Sequence, residues 1–473
     1  MDRNDTSDQL GETAIERQAQ SIALPRELRR PYNVQEILRS DAVAPPRTLL
    51  EASDFDLGTS PINIERYVSR DFHDREVERM WSRVWQFAAW AHDLPNPGDT
   101  AVYRNVDQSV VIVRQHEGSL KAFVNSCLHR GREICNADGR RVQLRCPYHG
   151  FTWSLAGELK WTPCEWDFPQ VKAETFSLPQ VRVEEWNGFV FINMSDEAPS
   201  LKEYMGSMVQ QWEGWDFNSR YKAVHVEKLL NCNWKVCMEA FLEGMHVYAT
   251  HPELAFFLPE TSTQYDIYPD EPHFSRFHGL AGQASSNLKE QPSEQEILDS
   301  FLSTFFKDVF GTEMGKLRAG ENARAGMGRV IRHVHKTNFG TDMSEAPNST
   351  LIDSTEYFLF PNFMPWPSLN TPIVYRFRPG DGPDWCIFET MLFLPFTGER
   401  PPSGKVIKLG PDASMADVKE LGALNHILQQ DADQLPLVQR GLKASRTRVV
   451  TLTKYQENRI RHYNRTLDSY VND

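Results

Sequence analysis

The sequence predicts an α+β chain made of two successive domains, an all-β domain over residues 87–200 and a mixed helix–strand domain over 201–473. Three observations carry this reading. Short β-rich segments broken by Gly and Pro follow one another at 100–103, 109–114 and 120–125 and return at 188–193, the spacing of an all-β domain. From about residue 201 the composition shifts toward apolar residues at helical spacing and longer strands. A chain of 473 residues is also long enough for two or three substantial cores.

Charge and cysteine content narrow the class. The formal net charge is −13 with 24% charged residues, which argues against nucleic acid as a partner, since phosphate binding needs basic surface. Seven cysteines in a chain this long do not make a disulfide scaffold; they fit a reducing cytoplasm in which thiolates serve metals. Cys135, Cys164, Cys232, Cys237 and Cys386 fall in no pattern and read as core or neutral thiols. The N-terminal segment has no apolar signal core, and no apolar run approaches the ~20 residues that a membrane span needs. The expectation is a soluble, cytoplasmic protein with no membrane partner.

Taken in order, residues 1–60 are polar and aperiodic, and read as an arm that is disordered or wraps a neighbouring subunit. Residues 61–86 hold a helix that packs on the second domain, with Phe72, Val77, Met80, Trp81, Val84 and Trp85 at helical spacing. Within the β domain, Arg130, Arg132, Arg140, Arg141 and Arg145 crowd one segment, opposed only by Glu133 and Asp138. That cluster reads either as mixed solvated surface with one or two structural arginines, or as a basic collar for an acidic electron donor. Later, Ile297, Leu298, Phe301, Leu302, Phe305, Phe306 and Val309 form an amphipathic helix that packs on a core in preference to forming a lid. Strands follow at 354–363, 373–378 and 385–393, where Phe358, Phe360, Phe363, Met364 and Trp366 build core and a share of any substrate cavity. Helices close the chain at 416–430, from 434 onward, and at 450–470. There is no internal repeat. No Gly-x-Gly-x-x-Gly follows a strand, so the chain is expected to lack its own nicotinamide or flavin site.

Two stretches carry chemistry. The first offers Cys127 with His129 and Cys146 with His149, each pair on a short turn bounded by Gly131 or Gly150. Two thiolates and two imidazoles can bind a tetrahedral zinc, or a [2Fe-2S] cluster with both thiolates on one iron and both imidazoles on the other. The second stretch is 231–251. On a continuous helix Glu239, Glu243 and His246 fall within about 60° of one face, and His251, followed by Pro252, leaves it near the helix end. The set favours a metal site, and a 2-His-1-carboxylate triad would take its carboxylate from elsewhere in the chain.

The first stretch, with Arg130, Gly131, Pro147, Tyr148, Gly150 and Trp153, resembles the Rieske cluster motif. The second, Asn233-Trp234-Lys235 followed by Glu239, Glu243, His246 and His251, resembles the catalytic-domain motif of Rieske non-haem iron aromatic-ring-hydroxylating oxygenase α subunits. The resemblance covers residues 65–445. It implies an N-terminal Rieske [2Fe-2S] domain, then a catalytic helix-grip (START-like) domain whose curved antiparallel sheet grips a helix. It implies one [2Fe-2S] Rieske cluster on Cys127, His129, Cys146 and His149, and one mononuclear Fe(II) on His246, His251 and an Asp just before a Val-Gln-Arg-Gly-Leu-like stretch, here 438–442. That Asp is Asp431; Asp433 is the rival and stands where an N-cap before Gln434, Leu435 and Pro436 would stand. The sequence departs from the family in carrying Glu243 where Asp is usual, and in Pro436, which interrupts a helix that relatives continue.

The resemblance further implies electrons from NAD(P)H through a separate reductase or ferredoxin, O2 and a small hydrophobic, aromatic or carbocyclic substrate. It implies a homotrimer with or without a small β subunit, in which Glu243 bridges His246 to His149 of a neighbouring subunit. Monohydroxylation, dioxygenation and O- or N-demethylation all run on this scaffold. A Rieske electron-transfer protein without oxygenase activity and a zinc-stabilised binding protein are the alternatives from other classes.

Overall fold

The structure is a computed structural model and describes residues 34–472 apart from 54, 370 and 371. Its first domain is a seven-stranded antiparallel sheet with a three-stranded appendage. The strands are β1 (Gln86–Trp90), β2 (Asp99–Asn105), β3 (Gln108–Arg114), β4 (Leu120–Val124), β5 (Gly139–Arg140), β6 (Leu144–Arg145), β7 (Thr152–Trp153), β8 (Leu159–Trp161), β9 (Gln180–Trp186) and β10 (Phe189–Asn193). The large sheet runs β1-β10-β9-β4-β3-β2-β5, and the small one β6-β7-β8. Alternating Val110 to Val113 bury both faces of β3, one against Phe123, Trp153 and Leu144, the other against Tyr103 and Ile192.

The second domain is a curled sheet of eight strands. Five of them, β11 (Arg220–Leu230), β12 (Thr263–Ile267), β13 (Phe274–Gly279), β14 (Ser354–Leu359) and β15 (Phe363–Trp366), are joined by β16 (Ile373–Gly380), β17 (Gly382–Pro395) and β18 (Val406–Leu409). Their order is β12-β13-β14-β15-β16-β17-β11-β18, antiparallel throughout except for the β11–β18 edge pair. Against the sheet pack α1 (Trp234–Glu239) and the last two long helices, α5 (Leu424–Ala444) and α6 (Asn458–Val471); α2 (Val247–Thr250) follows α1 in the chain, and α3 (Glu294–Phe305) and α4 (Ala323–Phe339) share a further core with it. Phe241, beyond α1, sits against Tyr375, Phe377 and Phe388 of the sheet with ring centres 4.7–5.5 Å apart.

Residues 61–86 join this second core. Tyr67, Phe72, Met80 and Trp81 pack with Trp234 and Tyr463, and a fully buried ion pair, Lys235 Nζ to Glu76 Oε1 at 2.6 Å, clamps the segment to α1. The helix there runs only to Met80, because the chain must straighten into β1 by Gln86.

Five expectations change. The arm is not free of its own chain: Val34, Leu38 and Leu49 pack on Leu280, Asp41 pairs with Arg324 at 2.7 Å, and Arg276 donates to the Thr48 and Glu51 carbonyls. The part of that expectation falling on residues 1–33 lies outside the described residues. The continuous helix over 231–251 is broken between Glu239 and Val247, where Arg459 Nη1 donates to the Leu242 carbonyl and Gly244 N–H donates to Tyr265 Oη. Tertiary partners thus take the groups that a helix would have paired internally.

The helices expected at 416–430 and from 434 are one, α5, starting at Leu424 and passing through Pro436. A proline inside a helix costs about 3 kcal/mol, but Ile427, Leu428, Ala432, Leu435 and Gln439 bury one stripe on either side of it and hold the axis. Asp433 is therefore no N-cap: it sits exposed in mid-helix and accepts from Gln429 Nε2 at 2.6 Å. Likewise the last helix begins at Asn458, not 450. Helix α4 has no counterpart in the sequence reading. Its two internal glycines argue against it, yet a Cβ on Gly326 would stand 2.7 Å from Leu317 and one on Gly328 2.3 Å from Asn348, so close packing requires them.

Candidate metal centres

The two Cys/His loops are built alike. In the first, Cys127 N–H donates to the Arg132 carbonyl at 2.9 Å and Gly131 N–H to the Cys127 carbonyl at 2.8 Å. In the second, Cys146 N–H donates to the Phe151 carbonyl at 2.9 Å and Gly150 N–H to the Cys146 carbonyl at 3.0 Å. Each turn closes through a left-handed residue, Gly131 at φ 77° and Gly150 at φ 89°, which a side chain would strain. Asn125, which sequence reasoning passed over, fastens the first loop from beneath: its Oδ1 accepts from Ile134 and Cys135, and its Nδ2 donates to the Cys135 carbonyl.

The loops bring the four predicted residues together. Cys127 and Cys146 are buried over Phe151, Trp153 and Leu144, whereas His149 is exposed. The two imidazoles meet with Nδ1 atoms 3.2 Å apart. Burial, together with the adjacent Cys146 thiol, pushes the Cys127 thiol up. Thiols on the inner side and imidazoles on the outer side make a donor set with two unlike ends, which fits a cluster ligated by sulfur at one iron and nitrogen at the other.

The arginine cluster divides on inspection. Arg141 is half-buried, bound to Thr100 Oγ1 and, at 2.8 Å, to the Ala137 carbonyl, so it is structural. Arg130, Arg140 and Arg145 are exposed; Arg130 lies over the Tyr148 ring and Arg145 over Trp161. Glu133 is engaged by Arg104 and Ser109, and Asp138 by the Val102 N–H.

In the second domain the broken helix turns His246 and His251 toward α5, whose inner stripe carries Asp431. One ligand atom from each of these three lies within 4.8 Å of the others. His251 Nε2 is 3.0 Å and His246 Nε2 3.7 Å from Asp431 Oδ1. Both Nδ1 atoms are already taken: His246 Nδ1 faces Glu243 Oε1 at 2.7 Å, and His251 Nδ1 faces Gln430 Oε1 at 2.6 Å. Partners at Nδ1 fix the tautomer that turns each Nε2 lone pair inward, the usual outer support of a metal-bound histidine. Two imidazoles and one carboxylate converging from one side fit a six-coordinate iron with positions left open. Gln430 gave no signal in the sequence, because only the helix that carries Asp431 points it at His251.

Glu243 also accepts the His246 backbone N–H at 3.0 Å. Burial opposes charge on His246, but Glu243 beside it and Asp431 beyond lift its pKa to about 9. Glu239 does not join the group. It turns to Tyr67 Oη at 2.9 Å and Asn464 Nδ2 at 3.1 Å, and burial pushes its carboxyl up to about 7. A cavity of about 120 Å³ adjoins the triad, walled mainly by Phe241, Leu254, Phe277, Phe305, Trp366 and Ile373. Phe305 thus comes from the helix read as core packing, which serves both purposes.

Residues 212–473 match the family model described as ring hydroxylating alpha subunit (catalytic domain), and residues 84–175 match that of the Rieske [2Fe-2S] domain. The chain is 30% identical to the biphenyl 2,3-dioxygenase subunit alpha of Rhodococcus jostii over 40% of its own length and 42% of the relative's. It is 28% identical to the carnitine monooxygenase oxygenase subunit of Acinetobacter pittii over 48% of its length and 61% of the relative's. The chain thus spans about half the length of the curated relatives it matches. Among solved structures, a quaternary ammonium Rieske monooxygenase superposes with a TM-score of 0.62 at 18% identity, covering 88% of this chain and 96% of that one. A naphthalene 1,2-dioxygenase mutant bound to phenanthrene gives 0.62 at 18% identity, over 89% and 94%. At these identities the shared property is the fold.

Proposed function

The chain belongs to the ring-hydroxylating oxygenase α subunits, and from that membership we propose that it is the terminal oxygenase of an electron-transfer system, taking electrons that originate in NAD(P)H and using O2 to oxidise a small, largely hydrophobic substrate. Its cofactors are a Rieske [2Fe-2S] cluster and a mononuclear iron. We assign Cys127, His129, Cys146 and His149 to the first and His246, His251 and Asp431 to the second. The observation that carries this assignment is the triad itself: three convergent donors, both imidazoles braced at Nδ1, opening on an apolar cavity.

When bound, the iron supplies the activation of O2. The chain's own residues do the rest. Glu243 and Gln430 hold a proton at Nδ1 of His246 and His251 and keep Nε2 facing inward. The apolar wall desolvates the substrate and excludes bulk water from the reacting face. Dioxygenation, monohydroxylation and demethylation share this machinery; the matched relatives include proteins named as dioxygenases and as a carnitine monooxygenase.

The electron path is assigned to Glu243. Its carboxylate touches His246, and Glu243 and His246 together line a second depression bordered by Val438, Leu442 and Leu452. His149 is exposed on its loop. Both facts support entry of His149 from a neighbouring copy beside Glu243 in a ring-shaped homotrimer, with or without a small β subunit. The exposed Arg130, Arg140 and Arg145 support docking of an acidic ferredoxin or reductase near the cluster. The test is an iron and acid-labile sulfide assay on purified protein, followed by substrate-dependent NADH consumption with a generic reductase. Three irons and two sulfides per chain are expected. Two of each would leave an electron-transfer protein, and zinc without sulfide would overturn the proposal.

A further inference from the structure

Beyond the triad and Glu243, the polar residues that line the cavity are Glu260, Thr263, Ser354 and Tyr375. Glu260, 4% exposed, lines it from the 3-10 turn just before β12. Its Oε1 accepts from Ser285 Oγ at 2.6 Å and Asn287 Nδ2 at 2.7 Å, both neutral donors. Its Oε2 has no hydrogen-bond partner among the described residues. Ser354, 2% exposed, lines the same cavity, and its Oγ is unpartnered too. Buried polar atoms are almost always paired, and an unpaired buried carboxylate oxygen is among the costliest exceptions. The two residues that carry these atoms line one cavity, where a ligand's polar end would belong.

We propose that Glu260 is a specificity-determining residue, and that the substrate joins an apolar body to a protonated amine that donates to Glu260 Oε2. This rests on the oxygenase reading above and narrows it to a substrate class. An amine is favoured over a hydroxyl because, among the described residues, Glu260 has no ion-pair partner and its Oε2 no donor, and a charge-assisted bond supplies both. Ser354 Oγ can accept a second ammonium N–H. Trp366, whose ring packs edge-on against Phe277 at 5.0 Å, adds an aromatic wall suited to a cation. Its own Nε1 also lacks a partner; an ammonium cannot satisfy it, but an acceptor elsewhere on the substrate can. The space available is on the order of that filled by a single aromatic ring, so benzylamine is the natural probe.

The experiment measures binding of benzylamine, benzyl alcohol and toluene to the metal-loaded protein by calorimetry at pH 7. Benzylamine should bind at least tenfold more tightly than toluene, with benzyl alcohol between them. Glu260→Gln keeps an oxygen for Ser285 and Asn287 but puts an N–H donor where Oε2 stood. Benzylamine should then weaken at least tenfold, toluene should stay unchanged, and acetophenone, a carbonyl acceptor, should gain. Equal wild-type affinity for benzylamine and toluene overturns the inference, even if the variant fails to fold. So does a variant that weakens both probes alike, since that is a structural effect. Iron and sulfide are counted in the same preparation, so a wrong oxygenase assignment registers there and a wrong ligand class in the affinities.

Discussion

Asp431 and Asp433 stand two residues apart on one helix, and about 200° of rotation separates their consequences. Asp431 is 4% exposed among Ile427, Leu428 and Leu435, and it meets both histidines; Asp433 is exposed and accepts from Gln429. Asp431→Ala should lose the mononuclear iron and all oxygenation while the Rieske electron paramagnetic resonance signal persists, because the two sites share no donor. Asp433→Ala should leave metal content unchanged and shift stability by no more than about 0.5 kcal/mol, as exposed substitutions do; denaturant titration and metal analysis check both. Glu243→Gln is the third member of the set. It should keep both metals, since an amide oxygen still accepts from His246 Nδ1, but slow reoxidation of the reduced cluster in the presence of substrate and O2. Reoxidation at the wild-type rate would take Glu243 out of the electron path.

Among the elements, the clamp between the 61–86 segment and α1 carries the sharpest energetic consequence. Lys235 and Glu76 are both fully buried, and burial drives each toward neutrality, Glu76 up and Lys235 down. Lys235→Met alone should cost about 3–5 kcal/mol, because it strands a buried carboxylate, whereas Lys235→Met combined with Glu76→Leu should recover most of that loss. Equilibrium unfolding of the two variants reads the difference. Much at this scale was legible beforehand. Strands β2 to β4, β14, β16 and β17 follow directly from alternating or continuous apolar runs, and the Cys/His turns from their bounding glycines, but the single strand expected over 354–363 ends at Leu359 and turns back as β15 from Phe363. What failed were elements whose identity is decided by distant partners. The break before His246 depends on Arg459 and Tyr265, the passage through Pro436 on a buried stripe either side of it, and α4 on close contacts at Gly326 and Gly328. Period and propensity describe a segment alone, and none of these segments is settled alone. Gln430 and Glu260 were invisible for the same reason: one polar residue among many becomes distinctive only when the fold sets it beside His251 or an apolar cavity.

For the whole molecule, acid should be more damaging than the acidic composition suggests. His462, 5% exposed on α6, is held down to about 4 by burial and by nearby Arg459. The unfolded chain binds a proton there from pH 6.5 downward and the folded one refuses it until about 4, so stability falls as pH falls through that window, by up to ~3 kcal/mol. His462→Gln should flatten the decline of Tm between pH 6.5 and 4.5. A different consequence attaches to where the triad's members stand in the chain. His246 and His251 are near neighbours, but Asp431 comes 180 residues after His251. An ion held by all three therefore works as a reversible cross-link. It closes a loop of that length, a constraint on the unfolded ensemble worth about 5 kcal/mol by chain statistics, and adds the mass-action stabilisation of any ligand that prefers the native state. Chelation should accordingly lower the melting transition of residues 212–472, and should speed amide exchange in the turn around Glu243 and the middle of α5, while amides of the Cys/His domain exchange as before. In this sense an ion held by the triad would tie two distant stretches of one chain together, and the folded protein's lifetime should track how long it keeps that ion.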